Sequence, residues 1–193
     1  MSFLLYGFNG MGWVDLVPRT GKLYIGGLHA LYQTDLIKAA GITHVLSVID
    51  YDPLLREKFQ HLKHYHIQAE DDPNEDLLQH FKATNQYINE GLAHGGVFVH
   101  CAMGKSRSAT MVVAYLMWKY GKPWEEALAQ LCEGRPVCDP NIGFKEQLGI
   151  YQRMLDAPDE TAAGGIYRAW LRERFKGEWW EWDVRARQLK ASL

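Results

Sequence analysis

Val97-Phe98-Val99 runs straight into His100-Cys101, and Arg107 follows before a second apolar run from Ala109 to Met117. Three consecutive apolar residues bounded by Gly95-Gly96 suit a very short strand buried on both faces. The run Ala109-Thr110-Met111-Val112-Val113-Ala114-Tyr115-Leu116-Met117 is apolar nearly all round, so the helix it forms must be buried as well. A buried strand leading by a short loop into a buried helix restricts the chain to an α/β architecture.

The remaining pattern agrees. Leu23-Tyr24-Ile25-Gly26-Gly27 predicts a strand ending in a glycine turn, and Thr34 to Ala40 a short helix that stops at Gly41. His44 to Ile49 and Leu62 to Ile67 predict two further strands. Leu77 to His94 carries Leu77, Leu78, Phe81, Tyr87, Ile88 and Leu92 at helical spacing. Helices are also expected over Trp124 to Glu133 and from Asn141 to about Leu155. The expected fold is a central, mostly parallel sheet of about five strands flanked by helices. Residues 1–157 form the main domain, with its core at about 21–155. Residues 158–193 form a linker, over Pro158 to Gly165, and a tryptophan-rich helical tail. In that tail Ile166, Tyr167, Trp170, Leu171 and Phe175 would form one helix face docked on the core.

The loop between strand and helix carries the chemistry. Ala102, Met103, Gly104, Lys105 and Ser106 separate Cys101 from Arg107. Such a loop can turn successive N–H groups inward and end at a helix N-terminus, which together make an anion site. A thiol there ionises below its free pKa of about 8.5 and becomes a nucleophile. Arg107 offers a planar fork suited to two phosphate oxygens. The Ser108 hydroxyl is placed to donate to the departing sulfur, and His100 to position the loop by hydrogen bonds. A leaving alkoxide or phenoxide needs a proton, and the acidic loop Glu70-Asp71-Asp72-Pro73-Asn74-Glu75-Asp76 offers donors; spacing alone leaves Asp71 and Asp72 both open.

Composition removes other classes. The formal net charge is -2, which gives no global attraction to nucleic acid or anionic membrane. The cysteines are Cys101, Cys132 and Cys138, a sparse and odd set that argues for a reducing compartment and against a disulfide framework. No zinc site is expected at Cys132 and Cys138, and no metal or cofactor is called for. Met1 to Trp13 reads neither as a signal peptide nor as a myristoylation site. His61, His64 and His66 are read as polar positions on an exposed strand face, and Asp50 to Asp52 as a turn before Pro53.

His100-Cys101, five residues, then Arg107-Ser108 resembles the signature loop of the protein tyrosine phosphatase superfamily, and Gly104-Lys105-Ser106-Arg107-Ser108-Ala109-Thr110 its dual-specificity branch. The resemblance covers about Gly21 to Leu155. It takes in Leu23 to Gly27, Ala40 to Leu46, Ala114 to Met117 and Pro140-Asn141 with Phe144. It implies hydrolysis of phosphotyrosine and phosphoserine/threonine through a cysteinyl-phosphate intermediate, without a metal. By the same resemblance Asp71, ten residues before Phe81, is the general acid and Asn141 braces the phosphate loop. Ala102 to Arg107 would bind the phosphate.

Ile166-Tyr167-Arg168-Ala169-Trp170 further resembles an atypical branch that carries a C-terminal zinc-binding domain and is linked to large ribosomal subunit assembly. No cysteine pair follows Cys138, so that domain is not expected within these residues. The implied partners are phosphoprotein substrates and, through the tail or a zinc domain, pre-ribosomal particles; direct nucleic-acid and membrane contacts are not. The cytoplasm is the expected location, with the nucleus left open. Lys105 keeps a phosphoinositide phosphatase as an alternative, and the tail keeps an assembly factor that uses the domain as a binding surface.

Overall fold

The computed structural model describes residues 13–191 apart from residue 53. The readings made above on the first twelve residues lie outside it. Five strands form one sheet in the order β1-β2-β5-β3-β4. They are β1 (Asp15–Leu16), β2 (Leu23–Gly27), β3 (Ile42–Val48), β4 (Lys63–Ile67) and β5 (Gly96–Cys101). β5 pairs in parallel with β2 and β3, and β3 with β4; the short β1 joins β2 antiparallel. The expected architecture is therefore the one observed.

Period-two alternation sends side chains to two cores. Leu23, Ile25, Leu46, Val48, Val97 and Val99 face the larger core. It is covered by α3 (Phe81–His94), α4 (Arg107–Tyr120), α5 (Trp124–Gly134) and α6 (Ile142–Leu155). Val45 and Phe98 face the smaller core, which packs beneath a 3-10 turn (Leu28–Tyr32), α1 (Thr34–Ala39) and α2 (Leu55–Lys58). In α4 every residue from Arg107 to Met117 is buried. Each fully buried Val, Leu or Met there contributes about 1.5–3 kcal/mol, so α4 is the structural axis as well as the floor of the site.

The region 158–165 is not a linker. Asp159 caps a helix, its side chain accepting from Ala162 N–H at 2.8 Å, and α7 runs Glu160–Glu173. Gly164 and Gly165 each cost about 1 kcal/mol against alanine in a helix. The cap and the burial of Trp170 against the core offset that cost. Phe175 lies beyond the end of α7 and packs edge-on against Trp182 of α8 (Trp179–Ala191), ring centres 4.8 Å apart. Of the tail tryptophans Trp182 is buried, whereas Trp179 and Trp180 are exposed. The tail packs on the core through two helices, and Leu171, expected on the docked face, is exposed.

His64 and His66 do not lie on an exposed strand face. Both are half-buried on β4, and their Nε2 atoms bond the carbonyls of Phe59 and Ile49 at 3.0 Å. Among the described residues no three His, Cys, Asp or Glu side chains are grouped to hold a metal, and no helix is long and apolar enough to cross a membrane.

Candidate active site

All four parallel strands deliver their C-terminal ends to one edge of the sheet, where open α/β folds bind ligands. β5 ends at Cys101, and Asp50 follows β3 by two residues. Ala69 and Asp71 follow β4, and Gly27 closes β2. Cys101 is 1% exposed, and its sulfur faces the loop rather than the apolar core. The Gly104 N–H donates to Sγ at 3.2 Å, and Ser108 Oγ lies 3.3 Å from it. Burial pushes the Cys101 thiol up. The Ser108 hydroxyl and the N–H groups of Ser108, Lys105 and Gly104 together outweigh that and leave it below the usual thiol range. Cys132 and Cys138 have no such donors; burial raises both, Cys138 to about 12.

The cup keeps its shape because its outward carbonyls are anchored. In a trans peptide the C=O and the following N–H point in opposite directions, so holding one aims the other. Ala102 C=O accepts from Leu28 N–H at 3.1 Å and Lys105 C=O from Asp139 N–H at 2.9 Å. The carbonyls of Met103 and Gly104 accept from Nη2 and Nε of Arg135 at 3.0 and 2.8 Å. Arg135 is in turn paired with Asp15 at 2.5 Å, both side chains being 7% exposed. Gly104 adopts φ +67°, and a Cβ there would meet the Gly26 carbonyl at 2.3 Å, so only glycine fits this turn.

Arg107, the first residue of α4, is buried at the rim of the cup. Its Nη1 donates to Asp50 Oδ1 and to Ala69 C=O, both at 2.9 Å. Asp50, read from sequence as part of a turn, is thus a partner of the arginine; that bond holds its carboxyl below the usual range. The buried Nε of Arg107 makes no hydrogen bond and stands 3.9 Å from Asp71 Oδ2.

Asp71 Oδ1 accepts from Ser106 Oγ–H at 2.6 Å and from Asn141 Nδ2 at 3.0 Å. Asn141 also donates its N–H to Ser106 Oγ at 3.1 Å and caps α6 by accepting from Phe144 N–H. Asp72 is occupied elsewhere: its Oδ1 accepts from Asn74 N–H at 2.7 Å, closing a turn. The geometry therefore brings Asp71, and not Asp72, to the phosphate loop. Lys105 and Met103 project outward and are exposed.

His100 is fully buried, and burial pushes it down to about 4, so its ring is neutral. Its Nδ1 lies 3.2 Å from the Cys101 carbonyl, an acceptor, and must carry the proton. Nε2 then accepts from the buried Ser47 hydroxyl at 2.7 Å. The sequence reading missed Asp15, Ser47, Asp50 and Arg135. Asp50 carried a faint signal, a carboxylate just past a buried strand; Arg135 carried none.

The family model described as dual specificity phosphatase, catalytic domain, matches residues 23–154. Dual specificity protein phosphatase 22-B of Danio rerio is 36% identical over 174 residues, covering 88% of this chain and 88% of that protein. MAP kinase phosphatase with leucine-rich repeats protein 2 of Dictyostelium discoideum is 37% identical over 145 residues, 74% of this chain but 20% of that protein. Among solved structures, the Yvh1 phosphatase domain from Chaetomium thermophilum aligns with a TM-score of 0.68 at 37% identity, covering 76% of this chain and 99% of that one. A thiol held by inward amides, an arginine at its rim and a match of this extent lead to one conclusion: the chain belongs to the dual-specificity phosphatase family.

Proposed function

We propose that this protein phosphatase hydrolyses phosphotyrosine and phosphoserine/threonine through a cysteinyl-phosphate on Cys101. The observation that carries the reading is the Cys101 sulfur, buried at the base of the loop with the Gly104 amide and Ser108 hydroxyl on it. The thiolate attacks phosphorus while the bond from phosphorus to the leaving oxygen breaks. Arg107 and the loop amides stabilise charge on the equatorial oxygens. Both donors on Asp71 engage Oδ1, so the proton passed to the leaving oxygen sits on Oδ2. In the second step water attacks phosphorus, Asp71 takes its proton, and the S–P bond breaks as Ser108 donates to the departing sulfur. Asn141 and His100 hold Asp71 and the loop in place.

Turnover of an aryl phosphate in the presence of a metal chelator tests this. Activity is expected for the unaltered protein and loss of it for Cys101→Ser. A fully active Cys101→Ser variant overturns the assignment.

The narrower branch, linked to ribosome assembly, is supported by the Ile166–Trp170 resemblance; a cytoplasmic location, with the nucleus open, is supported by the sparse, odd set of cysteines. Rescue of large-subunit assembly by the chain, scored with and without Cys101→Ser, tests a role for pre-ribosomal partners. A phosphoinositide substrate is not favoured, since the family model and the relatives are those of dual-specificity protein phosphatases.

A further inference from the structure

The family model ends at residue 154, yet α7, α8 and their connection make specific contacts with the loop that carries Asp71. The centre of those contacts is Asn74. Its Oδ1 accepts from Gly177 N–H at 3.0 Å and from Trp182 Nε1 at 3.1 Å. Its Nδ2 donates to Gly177 C=O at 2.9 Å, and its own carbonyl accepts from Arg174 Nη1 at 3.1 Å. Trp182 is 2% exposed and is held by Phe175. Tyr167 Oη–H reaches Asp76 Oδ2 at 2.7 Å, gripping the same loop two residues further on.

Asn74 is tied to Asp72, the neighbour of Asp71 in the chain. Asn74 N–H donates to Asp72 Oδ1, and Glu75 N–H to Asp72 C=O at 3.0 Å, so residues 72–75 form one tight turn. On the core side Gln147 accepts from the N–H groups of Leu77 and Leu78 and donates to Glu75 C=O. A Cβ on Gly143 would meet Pro73 C=O at 2.0 Å, so α6 lies directly against the turn. The loop is therefore clamped between α6 and the tail.

We propose that Trp182 and Asn74 are positioning residues for the general acid: the tail latches the turn that holds Asp71 over the phosphate loop. This rests on the assignment of Asp71 as the acid. An acid acts only within hydrogen-bond reach of the leaving oxygen, and a displacement of about 1 Å can cost ~100-fold. Loosening the latch therefore affects proton donation and leaves phosphate binding, which depends on the loop amides and Arg107, intact.

The test uses the full chain with Trp182→Phe, which keeps a ring against Phe175 but removes the N–H donor, together with Asn74→Ala. Each is measured on aryl phosphates of graded leaving-group pKa, with and without Asp71→Asn. Expected is a fall in kcat/KM, which reports the step that expels the leaving group, of about tenfold for poor leaving groups, part of the 10² to 10⁴ available from the acid. Little change in kcat/KM is expected for good leaving groups, and none in vanadate inhibition, with no further loss on top of Asp71→Asn. An equal loss of kcat/KM across all leaving groups, additive with Asp71→Asn, overturns the latch, as does no loss at all. If Asp71→Asn itself leaves leaving-group dependence unchanged, the acid assignment fails and the latch with it. A normal Asp71→Asn deficit beside an unaffected Trp182→Phe sinks the latch alone.

Discussion

Arg135 grips the Gly104 carbonyl at 2.8 Å, on the outer face of the peptide group whose inner N–H, that of Lys105, helps hold the Cys101 sulfur ionised. Its Nη2 does the same for the Met103 carbonyl, the outer end of the peptide whose N–H belongs to Gly104. A cation behind two peptide dipoles both aims and polarises their inward N–H groups.

Arg135→Met should therefore raise the thiol pKa of Cys101 and shift the ascending limb of the kcat/KM pH profile to higher pH. It also leaves Asp15 buried without this cation, and breaking a buried pair costs about 3–5 kcal/mol. Denaturant unfolding of Arg135→Met and of the double variant with Asp15→Asn checks both effects. The double variant should recover part of the stability but none of the pH shift. A single variant with the original pH profile would show that the brace does not reach the sulfur.

Ser108→Ala removes the foremost of the groups that lower the Cys101 thiol. The onset of thiolate ultraviolet absorbance should move to higher pH. Cys132 and Cys138 titrate above the usual range, so the first thiolate to form belongs to Cys101. The variant should also accumulate phosphoenzyme, seen as a burst of product before slow turnover. An unmoved onset would deny the hydroxyl its role.

His100 gives the fold a pH dependence. Its folded pKa is pushed down to about 4 by burial, against about 6.5 when unfolded. The unfolded chain then binds more protons between those values, so this contribution is complete above pH ~6.5 and is lost as pH falls towards ~4. The loss is on the order of 3 kcal/mol. Urea unfolding at graded pH should show it, and His100→Asn should flatten the slope across that window. An equally steep slope in the variant would place the dependence elsewhere.

The elements that carry the site were readable because they are local. Alternation in Leu23 to Gly27, the apolar run at 97–99 and the all-round apolar helix from Ala109 each report burial through periodicity within a few residues. The small, polar residues of 158–165 suggested a linker, yet Asp159 caps α7 there. Propensity is a weak prior, and packing of Trp170 overrode it. The choice between Asp71 and Asp72 was closed to spacing alone, and only the family resemblance favoured Asp71. Both sit in one acidic turn, and in the fold the position of Asn141, 70 residues away, distinguishes the oxygen that meets Ser106 from the one that caps Asn74.

By itself the amino-acid sequence determined the α/β order of elements, the Cys101–Arg107 loop and the kinship of the catalytic domain, because strand and helix periods and a contiguous loop are written in neighbouring residues. Only the tertiary structure decided what stands around that loop. Asp50 reaches Arg107 across 57 positions, Asp15 reaches Arg135 across 120, and Trp182 reaches Asn74 across 108. Such pairs are made by the crossing of elements at one sheet edge, and no pattern along the chain records which side chains that crossing brings within 3 Å or so of each other.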